Sequence, residues 1–285
     1  MPDTESIESW IGRERIERDE LAIAPGRGLA ALLNRPVDSL DRGVPLPPGW
    51  HWLYFWPITP QSELAADGHA RRGGFLPKVS LSRRMWVGGR IVFRSQLLLG
   101  DLVERRSTII GAQEKEGKSG RLILVTVRHE ISRGGEPAIE EEQDLAYREP
   151  ARPDERRAGG DPPPADCQWE EVFPTDPVVL FRFSALTFNG HRIHYDHPYA
   201  TGVEGYPGLV VHGPLTALLL LDAGIRHGPG SWPSRYSYRA LGPVFGGEPL
   251  RLTGRLPNDD TVEVWAAAPD GRAAMSGTLG WRVER

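Results

Sequence analysis

A chain of 285 residues, 39% hydrophobic and 25% charged, can bury a core and admits one large domain or two small ones. Its net charge of −4 argues against a general nucleic-acid binder, and no apolar run nears the ~18 residues of a membrane helix. The single cysteine, Cys167, excludes an internal disulfide and a cysteine-rich metal site. It fits a reducing compartment, so a cytoplasmic setting is expected. No base stands near Cys167 in the sequence, which reads as an inert thiol. The opening MPDTESIESW lacks the apolar stretch of a secretory signal.

In chain order, residues Ile11–Leu33 carry Ile16, Leu21, Leu29 and Leu32 at helical spacing, which predicts a helix shortened by Pro25 and two glycines. Strand-like runs follow at Arg90–Phe93, Leu102–Ile110, Arg121–Ile131 and Ala138–Tyr147. Hairpin turns are expected at Gly100-Asp101, across Glu116–Gly120 and at Arg133–Gly135. Residues 149–166, EPARPDERRAGGDPPPAD, have no hydrophobic period and read as a linker. The linker divides the chain into domains at 1–148 and 167–285. In the second, Pro214–Ile225 is apolar enough for a buried helix that Gly228 ends. Strands are predicted at Tyr236–Arg239, Pro249–Arg255, Thr261–Ala267 and Ala273–Arg282. The plan of the first half thus recurs, an α+β architecture with an internal duplication.

The chemistry-bearing residues concentrate in FSALTFNGHRIH, Phe183–His194, and in Gly208–Pro214. Four of the eight histidines lie between His191 and His212. A histidine near its ordinary pKa can take a proton from water and return it to carbon. His191, His194 and His197 recur every three residues, but Pro198 and the polar surroundings favour a loop, and no metal is expected. His51, His69, His129 and His227 read as ordinary hydrogen-bonded residues. His212-Gly213 precedes a helix whose first N–H groups lack intrahelical partners and whose dipole is positive there. Pro214 suits that first turn, and Gly213, with no Cβ, lets a carbonyl approach its N–H.

The segment Phe183–His194 resembles the hydratase motif of the MaoC-like (R)-specific enoyl-CoA hydratases. Phe188-Asn189 stands where that family has Gly-Asp, and His191-Arg192 where it has Asn-Pro, before Ile193-His194. The element Gly208–Gly213 resembles the family's His-Gly approach to its helix. Gly73–Pro77, Arg83–Gly89, Trp50–Phe55 and Glu114–Gly120 resemble a subgroup of mesaconyl-C4-CoA (3-methylfumaryl-CoA) and itaconyl-CoA hydratases and mitochondrial 3-hydroxyacyl-thioester dehydratases. The resemblance implies a tandem hot-dog fold, each half a curved antiparallel sheet around a central helix. The N-terminal half would be non-catalytic and bind substrate. The catalytic set would be Asn189, His194 and the Gly213 N–H. Asn189 cannot ionise, so the family's aspartate role is unfilled by this residue, and Asp196 or His191 would assist His194.

The implied reaction adds water across an enoyl-CoA double bond, with a branched dicarboxylic acyl group expected. Arg192, His191, His212, Arg84 and Trp86 would contact substrate, with arginine suited to a free carboxylate. Arg239 is a further candidate. No cofactor, nucleic-acid or membrane partner is expected, and a homodimer is compatible with the resemblance. Three rival readings stand beside it. They are a general 3-hydroxyacyl-thioester dehydratase, a hot-dog thioesterase using Asp196 or Glu204, and a non-catalytic acyl-CoA binding protein.

Overall fold

The computed structural model describes residues 6–81, 83–117, 120–149, 159–230 and 232–281. Ten antiparallel strands form one sheet. The first five are β1 (Glu14–Glu20), β2 (Arg83–Phe93), β3 (Leu102–Gly117), β4 (Gly120–Arg133) and β5 (Glu136–Arg148). The second five are β6 (Trp169–Phe173), β7 (Arg235–Ala240), β8 (Leu250–Asn258), β9 (Thr261–Ala267) and β10 (Ala273–Gly280). The order is β1-β3-β4-β5-β2-β7-β10-β9-β8-β6. Read outward from the centre, β2-β5-β4-β3-β1 and β7-β10-β9-β8-β6 are the same arrangement, so the duplicated plan is visible in the topology. The halves join where β2 pairs with β7, from Gly88 opposite Arg239 to Val92 opposite Arg235. A Cβ at Gly89 would stand 2.2 Å from the Tyr238 hydroxyl, so this seam requires glycine.

Period-two patterning builds these strands. In β4, Ile123, Val125, Val127, His129 and Ile131 are buried while the residues between them are more exposed. The strands and turns at Gly100-Asp101 and Arg133–Gly135 lie as expected, with β2 starting earlier, β3 running on to Gly117 and β10 ending sooner. The middle of the Glu116–Gly120 turn and residues 150–158 of the linker lie outside the described residues.

The helix expected over Ile11–Leu33 is corrected. Its first part is the edge strand β1, and only Ile23–Leu32 is helical, as α1. Ile16 is 49% exposed, so its helical spacing does not mark a core face. Charges opposite β3 take over instead. Glu17 meets Arg105 at 2.6 Å and Glu14 meets Arg106 at 2.9 Å.

The other helices are α2 (Pro177–Leu186), α3 (His197–Gly202) and α4 (Gly213–His227). Helix α4 begins at Gly213, placing Pro214 second, and Gly228 caps it. Leu215, Leu218, Leu219, Leu220 and Leu221 are all buried, as in a helix enclosed by a curved sheet. Among the described residues the first half has no helix of that length. There Leu46, Trp50, Leu53 and Tyr54, from the segment between α1 and β2, complete a core continuous with that around α4. No helix among the described residues is long and apolar enough to cross a membrane.

Candidate active site

The motif folds into a loop between α2 and α3. Asp176 caps α2, its Oδ1 accepting from the N–H groups of Val178 and Val179. The helix delivers Phe183 and Ser184 inward and ends at Thr187. Phe188 has φ +48°, a left-handed conformation uncommon outside glycine, at the position where the motif's glycine is expected. The Asn189 N–H donates to the Ser184 carbonyl at 2.8 Å, and its Oδ1 accepts from the His191 N–H at 3.0 Å. Asn189 therefore uses its carbonyl oxygen to shape the loop. One 3-10 turn, Arg192–His194, follows and buries His194.

His194 Nδ1 lies 2.7 Å from the Val210 carbonyl oxygen. That oxygen can only accept, so Nδ1 carries the proton and Nε2 presents a lone pair. Burial brings the pKa of His194 down to about 4, against the hydrogen bond to Val210. His212 stacks on the same ring, centroids 3.7 Å apart, and its Nε2 is 2.8 Å from the Ser184 hydroxyl. Burial, then the neighbouring His194, holds His212 well below its ordinary pKa. Two rings so stacked are both neutral at pH 7.

Gly213 opens α4 directly after His212. Among the described residues no backbone or side-chain acceptor meets its N–H. Trp86 covers this first turn, since a Cβ on Gly213 would lie 3.0 Å from its ring. Trp86 is held by Tyr238, stacked at 4.6 Å, and by Trp52, edge-on at 5.6 Å. Behind them Glu141, 2% exposed, accepts from Trp52 Nε1 at 2.9 Å, His51 Nε2 at 3.0 Å and Gln143 Nε2 at 2.9 Å. Burial would raise the pKa of Glu141. The hydrogen bond from His51 and the neighbouring histidines outweigh it and take it to about 2.

The first half reaches the loop through residues 66–69. The Arg192 N–H donates to the Asp67 carbonyl at 2.9 Å, and its guanidinium donates to the Ala66 carbonyl at 3.0 Å. Gly68 approaches Gly190 so closely that a Cβ there would sit 1.9 Å from the Gly190 oxygen. This brings His69 against His191, ring centroids 4.1 Å apart, and His191 stands edge-on to His194 at 5.3 Å. Burial, then the neighbouring His69 and His194, take the pKa of His191 down to about 2. One atom each from Asp67, His69 and His191 lie within 4.8 Å of one another, a spacing compatible with a metal. Asp67 and Arg84 act on both histidines with opposite sign.

Arg192 is engaged otherwise than a substrate contact requires. Its guanidinium donates to Asp196 at 2.7 Å and 2.9 Å and lies over the Tyr199 ring. Arg84 shares a strand face with Trp86 two residues on and lies opposite Tyr147 on β5. It has no carboxylate partner among the described residues. Arg239 lines an open groove of about 910 Å³ together with Arg90, Asp144 and Trp265. Alternation along β7 puts Arg239 on the face opposite Tyr238 and α4, away from His194.

This geometry joins a lone-pair imidazole to a free helix N-terminal N–H. The profile of the family "hydroxyacyl-thioester dehydratase type 2" matches residues 49–246. The chain belongs to that family. It is 45% identical to the mesaconyl-C(4)-CoA hydratase of Chloroflexus aurantiacus, covering 95% of this chain and 96% of that protein. It is 32% identical to the mitochondrial hydroxyacyl-thioester dehydratase type 2 of Schizosaccharomyces pombe, over 82% of this chain and 88% of that one. In fold it is similar to a MaoC-like dehydratase from Phytophthora capsici, with TM-score 0.72 and 15% identity, covering 98% and 99% of the two chains. A Mycobacterium tuberculosis protein described as a double hot-dog fold matches with TM-score 0.59 and 15% identity, covering 94% and 95%. The fold is therefore the tandem hot-dog that the sequence implied.

Within this dehydratase family member, the structure brings His191, His194, His212, Gly213, Asn189 and Trp86 into one region. Sequence reasoning passed over Asp67 and His69. An acid two residues before a histidine carries no signal of its own, and only the fold brings the pair to the loop.

Proposed function

We propose that this protein is a hydro-lyase that adds water across the double bond of an enoyl-CoA thioester, with a branched dicarboxylic acyl group of the mesaconyl-C4-CoA kind as substrate. The observation that carries this reading is the pairing of the His194 Nε2 lone pair with the unpartnered Gly213 N–H. The thioester carbonyl docks on the Gly213 N–H, where the dipole of α4 stabilises the enolate oxygen that develops. A water held by His194 Nε2 attacks the β-carbon. One of its protons passes to a neutral imidazole of the site and is returned to the α-carbon, so H and OH add with no net change in protons. Stacked His212 fixes the ring of His194, Asn189 holds the loop, and Trp86 walls the thioester. Arg84 takes the distal carboxylate, with His191 beside it.

The Chloroflexus relative's substrate supports the dicarboxylic assignment, and the family description keeps a general 3-hydroxyacyl-thioester dehydratase as the second reading. A thioesterase is disfavoured because its candidate carboxylates are engaged. Asp196 caps α3 and binds Arg192, and Glu204 pairs with Arg83 at 3.6 Å. The single Cys167 supports a reducing compartment such as the cytoplasm.

The test is a panel of mesaconyl-C4-CoA, itaconyl-CoA and crotonyl-CoA, followed by enoyl-thioester absorbance beside a free-thiol assay. The expected result is absorbance lost without thiol release, fastest with a dicarboxylic substrate. Thiol release in step with absorbance would make the protein a thioesterase, and a clear preference for crotonyl-CoA would favour the general dehydratase.

A further inference from the structure

We propose that His69, backed by Asp67, is a second catalytic base, and that this pair from the N-terminal half supplies the carboxylate chemistry that Asn189 cannot. The inference rests on the hydratase reading above. The Asp67 Oδ2 lies 3.1 Å from His69 Nδ1, and its Oδ1 accepts from the His69 N–H at 3.0 Å. An ionised carboxylate can only accept, so Nδ1 carries the proton and His69 Nε2 is left with a lone pair. This is the logic of a carboxylate orienting a histidine base. The pair is fixed in place. The carbonyl of Asp67 is bound by Arg192, and Gly68 is pressed on Gly190, so the dyad is tied to the backbone of the motif loop itself.

The remaining carboxylates near the loop, Asp196 and Glu204, are engaged by arginines, whereas Asp67 is aimed at a histidine that touches His191, which in turn stands edge-on to His194. Burial would raise the pKa of Asp67, but the side-chain and backbone hydrogen bonds of His69 hold it far below the carboxylate range. Burial outweighs Asp67 at His69 and keeps its pKa below the ordinary value, and Arg84 and Arg72 act in the same direction. The resting ring is thus a neutral base.

The division of labour follows from what stands behind each ring. His194 leans on a neutral carbonyl, in a buried site stacked on His212, and is poorly placed to hold a positive charge. His69 leans on a carboxylate that stabilises an imidazolium. As the water oxygen bonds the β-carbon, one O–H proton passes to His69 Nε2 and the double-bond electron pair moves into the thioester enolate. The enolate then takes that proton at the α-carbon, and His69 is neutral again. His194 Nε2 accepts the water's other hydrogen and aims its lone pair.

The test uses the full-length protein with mesaconyl-C4-CoA and the variants His69→Ala, His69→Gln and Asp67→Asn, each checked for wild-type far-UV circular dichroism. His69→Ala is expected to lose about 10²- to 10³-fold in kcat with little change in KM. Added imidazole should restore part of that loss, which it would not do for a purely structural defect. His69→Gln, which can still donate to Asp67, should lose as much and guards against misfolding of the alanine variant. Asp67→Asn should lose about tenfold or more in kcat. Variants that match an active wild type overturn this proposal alone. So does a loss that imidazole leaves untouched, or a wild-type activity abolished by chelators and restored by zinc. A wild type inert to every enoyl thioester overturns the functional reading and the proposal with it.

Discussion

Arg84 and Arg192 both carry the charge that a free carboxylate needs, yet their surroundings assign them different work. Arg192 is a strut, since Asp196, the Ala66 carbonyl and the Tyr199 ring occupy its guanidinium. Arg84 lies opposite Tyr147 on β5, and its charge acts on His69 and His191. A charge-assisted contact to substrate is worth about 1.5–3 kcal/mol, so Arg84→Gln should lower kcat/KM for mesaconyl-C4-CoA by about 10- to 100-fold. Steady-state kinetics with crotonyl-CoA, which has no distal carboxylate, should hardly change. The residues of the motif were legible in the sequence because they are contiguous, from Phe183 to His194. The engagement of Arg192 was not, because Asp196 and Ala66 as its partners depend on the path of the loop. Asp67 and His69 were not legible for the same reason, being joined to the motif only by the packing of Gly68 on Gly190.

At the scale of elements, α2 leads into the motif and α4 presents the unpartnered Gly213 N–H. Helix α2 starts on the Asp176 cap and carries Ser184, which holds His212. Asp176→Ala should cost about 1 kcal/mol of stability, read as a small drop in Tm, while kcat stays near wild type because the cap is remote from the reacting atoms. Helix α4 was readable from its leucine-rich run, the proline of its first turn and the closing glycine. Strand β1 was not. Its ERIERDE sequence places charges on both faces, and the strand is fixed by arginines on β3 that no local pattern announces. Strand β6 escaped for a similar reason, being a short edge strand that among the described residues pairs with β8.

For the whole molecule, one sheet carries two halves of different use. The second half encloses α4. The first, with no helix so long among its described residues, brings Trp86, Arg84 and residues 66–69 to the same site. Both halves bury histidines that are neutral. Burial is the leading cause in each case, and it takes His129 and His194 down to about 4 and His191 to about 2. These folded values lie below the ~6.5 of an unfolded histidine, so the unfolded chain binds more protons as pH falls. Stability from these groups is complete above about pH 6.5 and is lost progressively as pH falls toward 4. Glu141, held at about 2, adds a further loss below the unfolded carboxylate range of about 4.3. Thermal unfolding should therefore show a plateau in Tm near and above neutral pH and a steady fall between about pH 6.5 and 4, on the order of several kcal/mol in sum. A Tm independent of pH across that interval would contradict the burial of neutral histidines. The duplicated order of strands was legible in outline from turn and strand spacing. The seam between β2 and β7 was not, because pairing across the whole chain leaves no local trace beyond Gly88 and Gly89.

The central claim is that His194 acts on the water that adds to the enoyl thioester. It is tested most directly by comparing kcat of the wild type with that of His194→Ala on mesaconyl-C4-CoA, following the enoyl-thioester absorbance. The account predicts a fall of about 10²- to 10⁴-fold in a variant that keeps the wild-type circular dichroism. A folded His194→Ala protein that turns over at the wild-type rate would contradict it.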